Sequence, residues 1–120
     1  NLIEILNFFQ SFDNPNVVME KSQSMPGQGS SSSWKIGKGA GLLEGMVFAL
    51  GLRYIIVHPR TWQKEMFKDI SKMDTKLASL MVAQRLFPHE NWRPTERSKN
   101  PSSGLTDAAC LAVYGQRVFK

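Results

Sequence analysis

Apolar positions along this chain of 120 residues switch between helical spacing and short continuous runs. In LIEILNFFQSF, Leu2, Ile5, Leu6, Phe9 and Phe12 share one side of a helix over residues 1–12, and Asp13-Asn14-Pro15-Asn16 breaks it. VVME follows as an apolar run closed by an acid, which predicts a short buried strand. Residues 25–34, MPGQGSSSSW, are rich in Gly and Ser and predict a mobile loop. A helix is predicted over about 36–51. GLRYIIVHP predicts a second buried strand ending at Pro59, and residues 61–67 a short helix. After a polar connection at 68–73, Asp74 is placed to cap a helix over 75–87, with Leu77, Leu80, Met81 and Leu86 toward the core. Residues 88–104 form a loop with three prolines, and a last helix runs from 105 to about 118. No internal repeat is visible.

Helices alternating with short, non-alternating apolar strands indicate an α/β domain with parallel strands. Two such strands make a poor core alone. The pattern therefore expects further strands from an upstream segment, or a partner chain over the exposed edge. The chain opens inside a helical pattern and without Met, as a fragment would. It is read as one domain over 1–120, incomplete at its N-terminus.

Composition narrows this picture modestly. At 42% hydrophobic residues the chain can bury one small core. Fifteen basic residues against ten acidic ones give a net charge of +5, which suits a polyanionic partner and also suits a merely soluble basic surface. Cys110 is the only cysteine, so no intrachain disulfide can form and an intracellular setting is expected over a secreted one. No apolar run approaches the roughly 20 residues that span a bilayer.

Four features could carry chemistry. Glu20 ends its apolar strand, so its carboxylate is expected at the C-terminal end, where open α/β sheets bind ligands. There it could hold Mg²⁺ through oxygen, or pair with Lys21 or another base. Asp107 is expected in the first turn of the last helix, where capping and the helix dipole already account for an acid. Together, two acids at one sheet edge could share divalent cations. Gly37, Gly41 and Gly45 recur every four residues in the 36–51 helix, with Gly39 between them. Each costs about 0.5–1 kcal/mol against Ala, so close approach of another backbone is expected, the sheet or a second copy ahead of DNA near the helix start. Trp34, flanked by Lys35 and Lys38, could stack on an unpaired base or anchor the core. His58 and His89 are isolated, and no zinc-type spacing occurs.

In order, the blocks MEKSQSMPGQGSSSSWKIGKGAGLLEG, YIIVHPRTWQKEMF, DTKLASLMVAQRLFP, TERSKNP and GLTDAACLAVYG resemble RuvC-type Holliday-junction resolvases of the phage, bacterial and plastid branch. The resemblance spans roughly residues 17–118. It implies an RNase H-like fold, a homodimer, and cleavage of two opposed strands of a four-way DNA junction. It also implies Mg²⁺ or Mn²⁺ held by four acids. Glu20 matches the second acid and Asp107 the last, which makes both candidate catalytic residues and metal ligands. The first acid lies on N-terminal strands that this chain does not include. Where the third acid is usual, the chain reads Ser102-Ser103-Gly104, so Ser103 departs from the family. Weak metal binding and little cleavage by this polypeptide alone are expected. Lys21, Gln28, Lys35, Lys38 and Lys76 are the candidate contacts to the DNA backbone. The implied location is intracellular: cytoplasm or nucleoid, a phage-infected cell, or an organelle.

Three alternatives stay open at this point. One is a junction-binding relative that does not cut, which the serine pair favours. Another is a different RNase H-like enzyme, such as an RNase H, a transposase or an exonuclease. The last is an α/β domain whose acids are caps and salt bridges.

Overall fold

Local sequence punctuation sets the element boundaries. In the computed structural model, which describes residues 1–119, the order is α1 (Leu2–Gln10), β1 (Val17–Glu20), α2 (Ser30–Ala49), β2 (Tyr54–Val57), α3 (Pro59–Met66), α4 (Thr75–Leu86) and α5 (Ser103–Val118). The protein is an α/β fold whose described residues hold five helices and a two-stranded parallel sheet. The chain forms two compact units, residues 1–57 and residues 58 onward.

The first unit is α1 followed by a β-α-β crossover. Asn1 caps α1, its side-chain oxygen accepting from the Ile3 N–H at 2.9 Å. No residue of α1 is buried, although Leu6 and Phe9 are half-covered. The expected apolar face is therefore only partly covered: Leu2 and Phe12 on it are at least half exposed, as is Phe8 off it, which meets Phe12 edge to face at 5.1 Å. β1 and β2 pair in parallel with Val17 opposite Tyr54 and Glu20 opposite Val57. Backbone bonds from Val17 N–H to the Arg53 carbonyl and from Lys21 N–H to the Val57 carbonyl extend the ladder at both ends. The strands lie where the apolar runs placed them, but apart from buried Val57 their apolar residues are half-buried or, at Ile56, 46% exposed. A sheet of two strands has two free edges and little area to shelter its side chains.

Parallel pairing requires a crossover, and α2 supplies it. At 20 residues it is about 30 Å long. It starts at Ser30, six residues before the expected start, so Ser30 to Trp34 are helical rather than part of a loop. Serine is a poor helix former by only a few tenths of a kcal/mol, and a first turn tolerates it. Residues 25–28 form a tight turn, with Gln28 N–H donating to the Met25 carbonyl at 3.0 Å. Pro26 and Gly27 suit its centre, and Gly27 takes φ +82°. α2 ends by a Schellman arrangement: Gly51, at φ +70°, donates to Phe48 and Leu52 donates to Val47. Packing of the glycine ladder onto the sheet is not found. A Cβ added at Gly37, Gly39, Gly41 or Gly45 would meet no atom within 4 Å beyond its chain neighbours and its own helix backbone.

The second unit is helical. α5 packs against both α3 and α4. Its core contains Trp62, Met66, Ala78, Val82, Ala83 and Cys110, with Trp62, Ala83 and Cys110 fully buried. The expected face of α4 is corrected here: Leu77 is 52% exposed and Met81 and Leu86 are also exposed, while Ala78, Ser79, Val82 and Ala83 are buried. Small residues let α5 approach closely, and the larger ones are left on the outer side. Buried Ser79 donates its hydroxyl to Thr106 at 2.7 Å, and Thr106 donates to the Ser103 carbonyl at 3.2 Å. Burial pushes the Cys110 thiol up, against the lowering effect of its hydrogen bond to Ser79 and with a smaller rise from Asp107, so it stays protonated.

Glu65 ties α3 to α5. Its Oε1 accepts from Lys68 at 3.1 Å and from Arg117 at 3.0 Å. The Lys68 hydrogen bond, then the Arg117 one, holds its carboxyl below the ordinary 4.5. A lowered folded pKa contributes stability above the unfolded value and loses it as pH falls through the folded one. Glu65→Gln is therefore expected to melt below the wild type at pH 7, with the gap closing in acid below pH 4.5. Melting curves at stepped pH check this, and a gap that persists in acid would refute it.

Candidate functional site

Glu20 is the last residue of β1 and is exposed. It sits opposite Val57, so it stands at the C-terminal ends of both parallel strands, as the apolar run closing in an acid implied. Lys21 follows it, with the backbone N–H engaged by the ladder and the side chain exposed. The connection to α2 is held by Gln28, whose Oε1 accepts from the Met25 N–H at 2.9 Å. Its carboxamide oxygen thus serves the turn, and only the NH₂ group can donate outward.

Lys35 and Lys38 lie in the second and third turns of α2 rather than beside a loop. Trp34 is 65% exposed, so it is no core anchor. Lys38 Nζ stands over its ring, 5.0 Å from the centroid. From Lys21 to Leu43 the chain has three lysines and no acid. The start of α2 is therefore a locally cationic surface carrying one exposed aromatic ring.

Asp107 lies in the second unit. Because α5 begins at Ser103, with Ser102 as its cap, Asp107 falls in the second helical turn, and the first turn holds no acid. The expected first-turn position is corrected, and with it goes the explanation by capping. Asp107 is half-buried and, among the described residues, neither caps a helix nor pairs with a base. Ser102 does the capping instead, its Oγ accepting from Leu105 N–H at 3.4 Å.

A groove of about 500 Å³ opens between the starts of α4 and α5, lined by Asp74, Lys76, Leu77, Leu80, Pro101, Ser102, Ser103 and Thr106. It brings together two residues singled out separately in the sequence, Lys76 and Ser103. Asp74 caps α4 as expected, accepting from the N–H groups of Lys76 at 2.8 Å and Leu77 at 3.4 Å. The groove itself was not foreseen. Its signal is the pair of caps, Asp74 in DTK and Ser102 in SSGLT, which mark two helix starts. The Lys76 ammonium and the α5 N–H groups favour an anion there, and the Asp74 carboxylate opposes one.

His58 is structural. It caps α3 through Nδ1, which accepts from Arg60 N–H at 3.1 Å, with Pro59 in the first helical position. Among the described residues no group of three or more His, Cys, Asp or Glu side chains could hold a metal ion. Glu20 and Asp107 belong to different units and are two ligands of the four that the resemblance implies. The residues present do not by themselves fit a two-metal centre, and no cleavage step follows from them. No helix among the described residues is long and apolar enough to cross a membrane. No protein-family model matches the chain, and no curated protein matches it either.

Proposed function

We propose that this chain is the DNA-engaging part of an RNase H-like endodeoxyribonuclease that resolves four-way junctions, acting as a homodimer inside the cell. One observation carries the proposal. An acid closes the first strand of a parallel β-α-β unit, and the crossover that follows opens with Lys21, Lys35 and Lys38 and no acid. A cationic track suits a phosphodiester backbone, and a carboxylate at the strand end suits the divalent ion that its hydrolysis uses. Glu20 and Asp107 are the residues we assign to Mg²⁺ or Mn²⁺, and a full set would need acids from outside these 120 residues. The open glycine face of α2 and the two-stranded sheet support a second copy as partner.

Ser102 and Ser103 favour a second proposal, a relative that binds junctions without cutting. Ser102 is committed to capping α5, and neither serine can hold a cation as a carboxylate would.

The test is binding and nicking of a labelled four-way junction against linear duplex in Mg²⁺ or Mn²⁺, at two salt concentrations. It compares this chain with the full-length gene product. Junction preference by both with nicking only by the full-length protein supports the nuclease. Preference without any nicking supports the non-cutting relative. Equal binding to junction and duplex would refute both. A separate preference for RNA–DNA hybrid would point to another RNase H-like enzyme.

A further inference from the structure

The first turns of α2 carry a feature that neither acid explains. Trp34 is the fifth residue of the helix and is 65% exposed. An exposed tryptophan forgoes the largest apolar burial available to any side chain, so its position needs a reason. Its neighbours on the same helical face are Ser30, Ser31, Gly37, Lys38 and Gly41. The serines are small, and the space beside both glycines is open to 4 Å. Lys38 holds one face of the ring from 5.0 Å, and the rest of the indole faces solvent. A flat ring with small residues around it can take a second flat ring against it.

Charge selects the occupant. Lys38 lies over the indole, Lys35 follows it in the chain, and the nearest acid in either direction is Glu20 or Glu44. An apolar protein surface would have to desolvate both ammonium groups without partners. An unpaired nucleotide supplies both complements at once, a base for the ring and a phosphate for each lysine. We infer that Trp34, with Lys35 and Lys38, forms a stacking site for an unpaired DNA base. It deepens the proposed function, on which it rests: a branch point is where a duplex substrate presents unstacked bases. Stacking on the indole reads a base's face and not its edge, so the site accepts any base.

Intrinsic fluorescence reads the site, because Trp62 is fully buried and Trp92 half-buried, which leaves Trp34 as the accessible fluorophore. The chain is titrated with single-stranded oligothymidylate, with heparin as a polyanion without bases, and with four-way junction and duplex. Trp34→Ala and Trp34→Phe are titrated alongside, with binding of labelled DNA followed by anisotropy. Oligothymidylate is expected to quench the wild type, and Trp34→Ala to bind it roughly tenfold or more weakly. Trp34→Phe keeps a stacking face and is expected to recover most of that loss, while heparin binds all three alike without comparable quenching. Unchanged oligothymidylate binding by Trp34→Ala, or equal quenching by heparin, would overturn the inference. If the wild type still prefers the junction in that event, the proposed function survives. If Trp34 governs oligothymidylate binding but junction and duplex bind equally, the stacking site stands and the junction proposal fails.

Discussion

Replacing Trp62 with Ala is expected to cost about 3–5 kcal/mol, the range for emptying the site of a fully buried large aromatic. Trp62 is 0% exposed, stands edge to face with Phe67 at 5.5 Å, and is the largest fully buried side chain described. A domain of about sixty residues has a stability of only roughly 3–9 kcal/mol at the usual value per residue. The second unit should therefore be close to unfolded at room temperature in Trp62→Ala. Urea unfolding followed by far-ultraviolet circular dichroism measures the loss. Trp34→Ala is the contrast: its indole is exposed, and its effect on stability should stay within about 0.5 kcal/mol. Equal losses at the two positions would mean that the burial described here is wrong.

That contrast also shows what the sequence could reveal. Where the chain carries explicit punctuation the elements are legible to within a few residues: α1 ends at Gln10, ahead of the Asp13-Asn14-Pro15-Asn16 break, and Asp74 caps α4 with the bonds expected of it. Pro59 is the exception, opening α3 where the sequence reading ends a strand, because proline suits the first helical position. Strand position was legible because VVM and YIIV are continuous apolar runs. Burial was not. α4 has two stripes at helical spacing, one of large residues through Leu77 and Met81 and one of small residues through Ala78, Ser79 and Val82. Periodicity fits both, and the close approach of α5 selects the small one. Trp34 illustrates the same limit, because a tryptophan between serines and a lysine fits a core, a loop or a platform equally well.

The candidate site divides similarly. Glu20 was placed at its strand end from the sequence, since an acid closing an apolar run can occupy few other places. For Asp107 the sequence implies the first helical turn and the structure gives the second, because Ser102, Ser103 and Leu105 could each begin the helix and only the capping bond distinguishes them. The groove joining Lys76 to Ser103 depends on how α4 meets α5, a contact between segments about 27 residues apart that no local pattern encodes. The family resemblance orders the blocks without supplying that geometry.

The contact between α4 and α5 yields the second large effect. Thr106→Val keeps the shape of the side chain but removes the acceptor for the buried Ser79 hydroxyl and the donor to the Ser103 carbonyl. A buried hydroxyl left without its partner costs about 1–3 kcal/mol. Ser79→Ala should cost less, because Thr106 keeps its bond to Ser103 and loses only an incoming donor. In Ser79→Ala/Thr106→Val no buried hydroxyl is stranded, so the double variant should be no less stable than Thr106→Val alone. A double-mutant cycle in urea should then give a coupling of about 1 kcal/mol, within the range for residues in direct contact. Simple additivity would show that the two hydroxyls do not bond. The functional consequence follows from position: Thr106 precedes Asp107 and fixes the turn that presents Ser102 and Ser103. If the groove between the starts of α4 and α5 takes a DNA phosphate through Lys76, Thr106→Val should also weaken junction binding, and the double variant should not restore it, because the bond from Thr106 to the Ser103 carbonyl is lost in both.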